Sequence, residues 1–163
     1  MFAWLRISLL LAAVALSAPA SASERMRVPP LKVVSADGRA VALDQLVRPG
    51  RWLLVYIQPN CGPCDALLRL VKKGEHPLVP SQLVIVVGAT TAEAVSAEAA
   101  SFPDLTGAAW YADPARAAIA PLRLTGAPVI FGVDHDVIEW RLAGVLSNAD
   151  DVKSVLASWV EKP

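Results

Sequence analysis

The chain has 163 residues, 55% of them hydrophobic, and its formal net charge at pH 7 is 0. This length suits one domain with a sizeable core. The balanced charge, with no basic patch in the sequence, argues against a nucleic-acid partner.

The first 22 residues have the three-part layout of a secretory signal peptide. Arg6 precedes an uncharged apolar run over residues 7–16, and Ala20 and Ala22 form an A-x-A cleavage site. The run is short for a membrane span, which needs about 20 residues. An uncleaved anchor is the alternative, because residues 2–5 lengthen the apolar stretch. We therefore expect export, and the bacterial periplasm fits best.

Residues 23–30 predict an irregular lead-in, because Pro29 and Pro30 oppose a helix. The functional domain is expected to span residues 31–163. Its first element is "LKVVSADGRAVAL" (31–43), which predicts a β-hairpin because Asp-Gly is a turn signal between short apolar runs.

A buried strand and a helix are expected next. "WLLVYIQ" (52–58) is a continuous apolar run, typical of a strand that is buried on both faces. The segment "CDALLRLVKKG" (64–74) predicts a helix with Leu67, Leu70 and Val71 on one face and a C-cap at its final glycine, Gly74.

The middle of the chain continues the alternation. "QLVIVVG" (82–88) predicts a second buried strand. Thr90 and Glu93 have the capping-box spacing that opens an Ala-rich helix. "AAWY" (108–111) predicts a third strand.

The last third begins with Asp113 and Pro114, which predict the start of a short helix. "PVIFGV" (128–133) and "VIEWRLAG" (137–144) then predict two strands joined by a turn at "DHD". The final helix is expected to begin near Ser147 and Asp150 and to carry an apolar face of Val152, Val155, Leu156 and Trp159.

The order of these elements predicts an α/β fold. It runs hairpin, strand, helix, strand, helix, strand, helix, strand, strand, helix. The alternation in the first half indicates parallel strands, and the closing hairpin indicates an antiparallel edge. The sheet is therefore expected to be mixed and flanked by helices.

Both cysteines of the chain lie in one C-x-x-C motif, Cys61 and Cys64. Such a motif allows a reactive redox pair, a metal clip or a structural staple. Disulfides form and persist in exported proteins. A bridge across so few residues closes a very small loop and is a poor staple, because loop-closure stabilisation grows with loop length.

The chain resembles the thioredoxin fold, and three features carry the likeness. "CGPC" (61–64) follows a strand and opens a helix, as in thioredoxin. "TGAPV" (125–129) is similar to the loop where the family places a cis-proline opposite the cysteines, which here would be Pro128. The hairpin "VVSADGRAVALDQL" (33–46) resembles the exported proteins of the TlpA/ResA/DsbE group, which assist cytochrome c maturation or other periplasmic thiol reduction.

The resemblance implies a role for each motif residue. A thiolate attacks a disulfide, and Cys61 at a helix N-terminus would have a lowered pKa because backbone N–H groups and the dipole stabilise the anion. Cys64 would resolve the mixed disulfide. Gly62 and Pro63 would hold the sulfurs together, and Ala127 before Pro128 would pair with an extended substrate.

Three positions depart from the family pattern. Asn60 replaces the tryptophan that usually precedes the first cysteine, and Ala127 replaces the commoner Thr or Ile. Val55 stands where thioredoxins carry a buried acid beneath the second cysteine, so the proton route for Cys64 is open. Such changes indicate a dedicated partner rather than a general reductase.

Neither histidine predicts a metal site. His76 lies before a proline in a polar segment and is expected to be solvated. "VDHD", which contains His135, resembles the Val-Asp-His stretch of Sco-type copper chaperones, but those use C-x-x-x-C, and His135 is expected in a hairpin turn. We therefore predict no metal and no cofactor.

The sequence thus predicts a periplasmic thiol–disulfide oxidoreductase. Its Gly-Pro dipeptide is that of thioredoxin, whose potential is low at about −270 mV, which favours a reductase of protein disulfides. The expected partners are a protein with a disulfide or thiol pair and a membrane electron donor. Membrane contact is expected only if the N-terminal segment stays uncleaved. A redox-inert thioredoxin-fold binding module or a copper chaperone is the alternative.

Overall fold

The computed structural model describes residues 25–72, 80–88, 90–144 and 149–161. The predicted signal peptide lies outside these ranges, as do Gly74, His76 and Ser147. No helix within the described ranges is long and apolar enough to cross a membrane.

A seven-stranded mixed sheet organises the chain. Its strands are β1 (Lys32–Ser35), β2 (Ala40–Ala42), β3 (Arg51–Ile57), β4 (Leu83–Gly88), β5 (Ala109–Asp113), β6 (Val129–Asp134) and β7 (Val137–Ala143). Their spatial order is β2-β1-β5-β4-β3-β6-β7. The pairs β3–β4 and β4–β5 are parallel and the others are antiparallel. The predicted α/β fold with a mixed sheet is therefore confirmed.

Three α-helices accompany the sheet: α1 (Gly62–Lys72), α2 (Ala92–Ala100) and α3 (Ala149–Glu161). All three contribute side chains to the same core cluster, on the sheet face that Val55 and Ile57 of β3 share. β3 is buried along its length because its alternate residues, such as Leu54 and Tyr56, enter a second cluster on the opposite face.

Among the described residues, the opposite face is covered by segments other than α-helices. Buried side chains from the connecting segments pack there: Val28 of the lead-in, Leu31 before β1, Leu43 in the 3-10 helix after β2, and Ala118 and Leu122 between β5 and β6. The described lead-in also runs beside the start of β7, where the backbone N–H of Val28 donates to the carbonyl of Asp136.

The predicted helix after Asp113 is wrong. Asp113 does act as a cap, because its buried carboxylate accepts the backbone N–H groups of Ala117 at 2.8 Å and Ala118 at 3.0 Å. The chain then forms successive turns instead of a helix. Arg116 and Arg123 adopt left-handed φ angles of 54° and 51°, which interrupt a right-handed helix.

Two smaller predictions are also corrected. The N-cap of α2 is Thr91 rather than Thr90, since the Thr91 hydroxyl accepts the N–H of Ala94 at 3.3 Å. On α3, Val152 and Leu156 are buried as expected and Trp159 is half-buried, but Val155 is 46% exposed. Val155 borders a groove between α3 and β7 instead of entering the core.

Gly132 provides a test of how tightly β6 and β7 pack. It pairs with Trp140, and a Cβ at Gly132 would collide with the Trp140 indole. We expect Gly132→Ala to lower the free energy of unfolding by about 1–3 kcal/mol in denaturant titrations, because the collision forces a rearrangement.

The matched control is Gly126→Ala, where an added Cβ meets nothing within 4 Å. In a Trp140→Ala background the cost of Gly132→Ala should nearly disappear. An equal cost in both backgrounds would show that the indole is not the obstacle.

Candidate active site

The cysteine motif lies where the central strand ends and a helix begins. β3 ends at Ile57, and α1 starts at Gly62, directly after Cys61. Asn60 adopts a left-handed φ of 56°, a conformation in which Asn is several-fold enriched. This tight connection places Cys61 at the N-terminus of α1.

Cys61 and Cys64 form a disulfide with their Cα atoms 5.2 Å apart. The two cysteines differ in access. Cys64, in the first turn of α1, is fully buried in the core cluster. Cys61 is half-buried, and its neighbours Gly62 and Pro63 are exposed. A partner would therefore reach Cys61 first.

The backbone around Cys61 favours negative charge on its sulfur. The N–H of Cys64 donates to the Cys61 Sγ at 3.3 Å. The carbonyl of Cys61 accepts the N–H groups of Cys64 and Asp65 in the first helical turn, so Cys61 acts as the helix cap. Unpaired N–H groups and the helix dipole stabilise a thiolate at this position.

The Ala127–Pro128 loop faces this sulfur. The peptide bond between Ala127 and Pro128 is cis, as the family resemblance implied. The carbonyl oxygen of Ala127 lies 4.0 Å from the Cys61 Sγ. The carbonyl of Pro128 accepts the N–H of Gly144 at 3.2 Å, which fixes the loop to the end of β7. Gly62, Pro63, Ala127 and Pro128 are therefore gathered around one accessible sulfur.

No carboxylate lies at the position beneath Cys64 that thioredoxins fill with an acid. Val55 is completely buried there and belongs to the same core cluster as Cys64. Asp65 of α1 and Glu98 of α2 are acids on this side of the sheet. The pKa of Glu98 is raised above its usual value by burial and by the negative charge of Asp65.

Glu98 was not singled out by sequence reasoning. Its helix was recognised from composition and capping, but nothing in the local sequence shows which neighbour faces that helix. Asp65 was not singled out either, although its position directly after the cysteine motif could have indicated that it lies near Cys61.

His135 lies far along the sheet from the cysteines. It occupies the β6–β7 turn, with a left-handed φ of 54°, and its Nδ1 lies 2.7 Å from the Asp134 carboxylate. Asp134 pairs with Arg51 at the start of β3, whereas the cysteines follow the end of that strand. Among the residues that the structure describes, no three metal-ligating side chains cluster.

The comparisons with known proteins match this architecture. No family model matches the sequence, and no curated protein matches it. A secreted disulfide oxidoreductase of Mycobacterium tuberculosis, described as homologous to E. coli DsbE, has a TM-score of 0.61 at 14% identity, covering 84% of this chain and 99% of its own. A thiol:disulfide interchange protein DsbE of Chlorobium tepidum has a TM-score of 0.59 at 15% identity, covering 86% and 99%.

A third structure is BsSco, described with a disulfide switch and as a member of the Sco family of cytochrome c oxidase assembly proteins. It has a TM-score of 0.57 at 19% identity, covering 84% of this chain and 95% of its own. These likenesses establish that the chain has the thioredoxin fold, with a C-G-P-C disulfide at the amino end of α1. The resemblance to exported DsbE-type proteins is confirmed at the level of that fold.

The difference in access between the cysteines can be measured. After reduction, we expect iodoacetamide to alkylate Cys61 at least about tenfold faster than Cys64, because Cys61 is accessible and its thiolate is stabilised. Peptide mass spectrometry of a time course would give both rates. Equal rates, or faster labelling of Cys64, would contradict the site geometry.

Proposed function

We propose that this protein is a thiol–disulfide oxidoreductase that acts on disulfides of other proteins. The observation that carries the proposal is the pairing of an accessible Cys61 at a helix N-terminus with a buried Cys64 in disulfide contact. Thioredoxin-fold neighbours, one described as a disulfide oxidoreductase and one as a thiol:disulfide interchange protein, support it.

The reaction would proceed in two exchanges. The Cys61 thiolate attacks one sulfur of the substrate disulfide, forms a mixed disulfide and expels a substrate thiolate, which takes up a proton. Cys64 then loses its proton and attacks the Cys61 sulfur, which expels the second substrate thiolate. Two electrons and two protons pass to the substrate, and the enzyme is left with the Cys61–Cys64 disulfide.

The motif and the proline loop would orient these steps. Gly62 and Pro63 complete the first turn of α1 and leave the Cys61 side open to a partner. The backbone of Ala127, beside Pro128 and 4.0 Å from the Cys61 sulfur, would pair with an extended substrate segment. An approaching substrate cysteine would then lie between the loop and α1.

The direction we propose is reduction in the periplasm. The apolar leader over residues 1–22 supports export, and the Gly-Pro dipeptide is that of low-potential thioredoxin. A low-potential pair in an oxidising compartment must be recharged, so we infer a membrane electron donor that supplies two electrons per turnover. The substrate would be a protein disulfide, such as the haem-site cysteines of an apocytochrome c.

A second candidate is a binding module of the same fold with a redox-inert pair, including a copper chaperone. The likeness to BsSco is the observation that favours it. Against it, His135 lies at the opposite end of β3 from Cys61.

Trapping tests which cysteine attacks. A Cys64→Ser variant should accumulate a mixed disulfide with its partner, because the second exchange is blocked, and a Cys61→Ser variant should trap at least about tenfold less. Non-reducing electrophoresis and mass spectrometry of the trapped species would score both. The reverse pattern would refute the role of Cys61.

Turnover distinguishes the two candidate functions. With dithiothreitol as electron donor and the disulfide form of the trapped partner as substrate, the protein should accelerate reduction, and the Cys61→Ser/Cys64→Ser variant should not. A lack of turnover together with tight Cu(I) binding that requires both cysteines would favour the binding module.

A further inference from the structure

Asp65 of α1 directly follows the cysteine pair, and Glu98 of α2 lies close enough to Asp65 to feel its charge. We propose that Asp65 and Glu98 act through Cys61 as positioning residues, disfavouring negative charge on its sulfur and so making the dithiol a stronger electron donor. The inference deepens the proposed function, because it concerns how the same pair is kept reducing. Its test, the titration of one thiol, does not depend on a substrate.

Asp65 is one helical turn from Cys61. Its backbone N–H donates to the Cys61 carbonyl at 3.1 Å, which is the i to i+4 bond of a helix. Because Cys61 is the cap and Asp65 lies in the first turn, this bond keeps the two residues one helical turn apart, about 5.4 Å along the axis. Asp65 is half-buried, so solvent and salt screen its charge less than that of an open surface acid.

A side-chain contact between α1 and the end of α2 indicates that Glu98 lies near Asp65. The guanidinium of Arg69 lies 5.6 Å from the ring centroid of Phe102. Arg69 follows Asp65 by one turn, and Phe102 follows Glu98 by the same number of residues. Because α1 and α2 follow parallel strands and run in the same direction, Asp65 faces Glu98.

The electrostatics agree with that geometry. The pKa of Glu98 is raised, first by burial and then by the charge of Asp65. Within the described part of the chain, neither carboxylate has an ion-pair partner. The nearby cation on α1, Arg69, is placed over the Phe102 ring.

The sign of the effect follows from which redox form carries charge. The disulfide is neutral, whereas the dithiol form can hold a thiolate at Cys61. Neighbouring carboxylates raise the free energy of that thiolate alone, so they shift the equilibrium toward the disulfide. They oppose the helix N-terminus and the Cys64 N–H, which stabilise the thiolate. The balance between these two groups would set the reducing strength of the pair.

The experiment neutralises each acid. In a Cys64→Ser background, Asp65→Asn should lower the pKa of the Cys61 thiol by about half a pH unit or more, measured by the ultraviolet absorbance of the thiolate. In the wild-type pair, with pH near that of the thiol titration, the same change should shift the glutathione equilibrium about two- to fivefold toward the dithiol. Glu98→Gln should act in the same direction, and the double variant should exceed either.

Matched controls separate charge from structure. Asp44→Asn, after β2, and Glu139→Gln, on β7, remove exposed acids away from α1 and should leave both readouts unchanged. Asp65→Glu keeps the charge and should preserve the wild-type titration. Folded Asp65→Asn and Glu98→Gln variants with unchanged titration and equilibrium would overturn the proposal, as would a shift of opposite sign. Failure of the Cys64→Ser variant to trap any mixed disulfide would refute the proposed function, while a titration shift would still uphold this inference.

Discussion

The burial of β3 on both faces is the constraint on which the rest of the structure depends. β3 pairs with parallel β4 on one side and with antiparallel β6 on the other. Because every residue from Trp52 to Ile57 is fixed in one of two core clusters, the chain leaves the sheet at a defined point. Cys61 follows four residues later. β6 begins beside the end of the same strand. The Ala127–Pro128 loop, which directly precedes β6, therefore lies next to Cys61.

Under the proposed function, the chemistry of the site rests on a competition between charges. The amino end of α1 and the Cys64 N–H favour a thiolate at Cys61. Asp65 and Glu98 carry negative charge on the neighbouring helix faces. Val55 leaves the space beneath Cys64 apolar. These opposing charges would allow Cys61 to attack readily while the Cys61–Cys64 pair still prefers the disulfide.

The sequence predicted the features that local chemistry determines. The Asp-Gly turn, the buried strands and the helix that opens at the cysteines are set by residues close together in the chain, and the structure has each of them. The prediction of a helix after Asp113 was wrong. Asp113 does cap the segment that follows, but Arg116 and Arg123 adopt left-handed φ angles that divert the chain, and nothing in the sequence indicates them. The gathering of all three helices on one face, and the approach of Glu98 to Asp65, depend on long-range packing that composition and periodicity do not report.

The reduction potential of the Cys61–Cys64 pair tests most sharply whether the protein is a reductase. The protein would be equilibrated with glutathione buffers of known ratio and quenched with acid. Quantification of the dithiol and disulfide forms would then give the potential. We predict a potential near that of thioredoxin, about −270 mV, as expected for an electron donor. A potential above about −180 mV, in the range of isomerases and oxidases, would contradict a reductase.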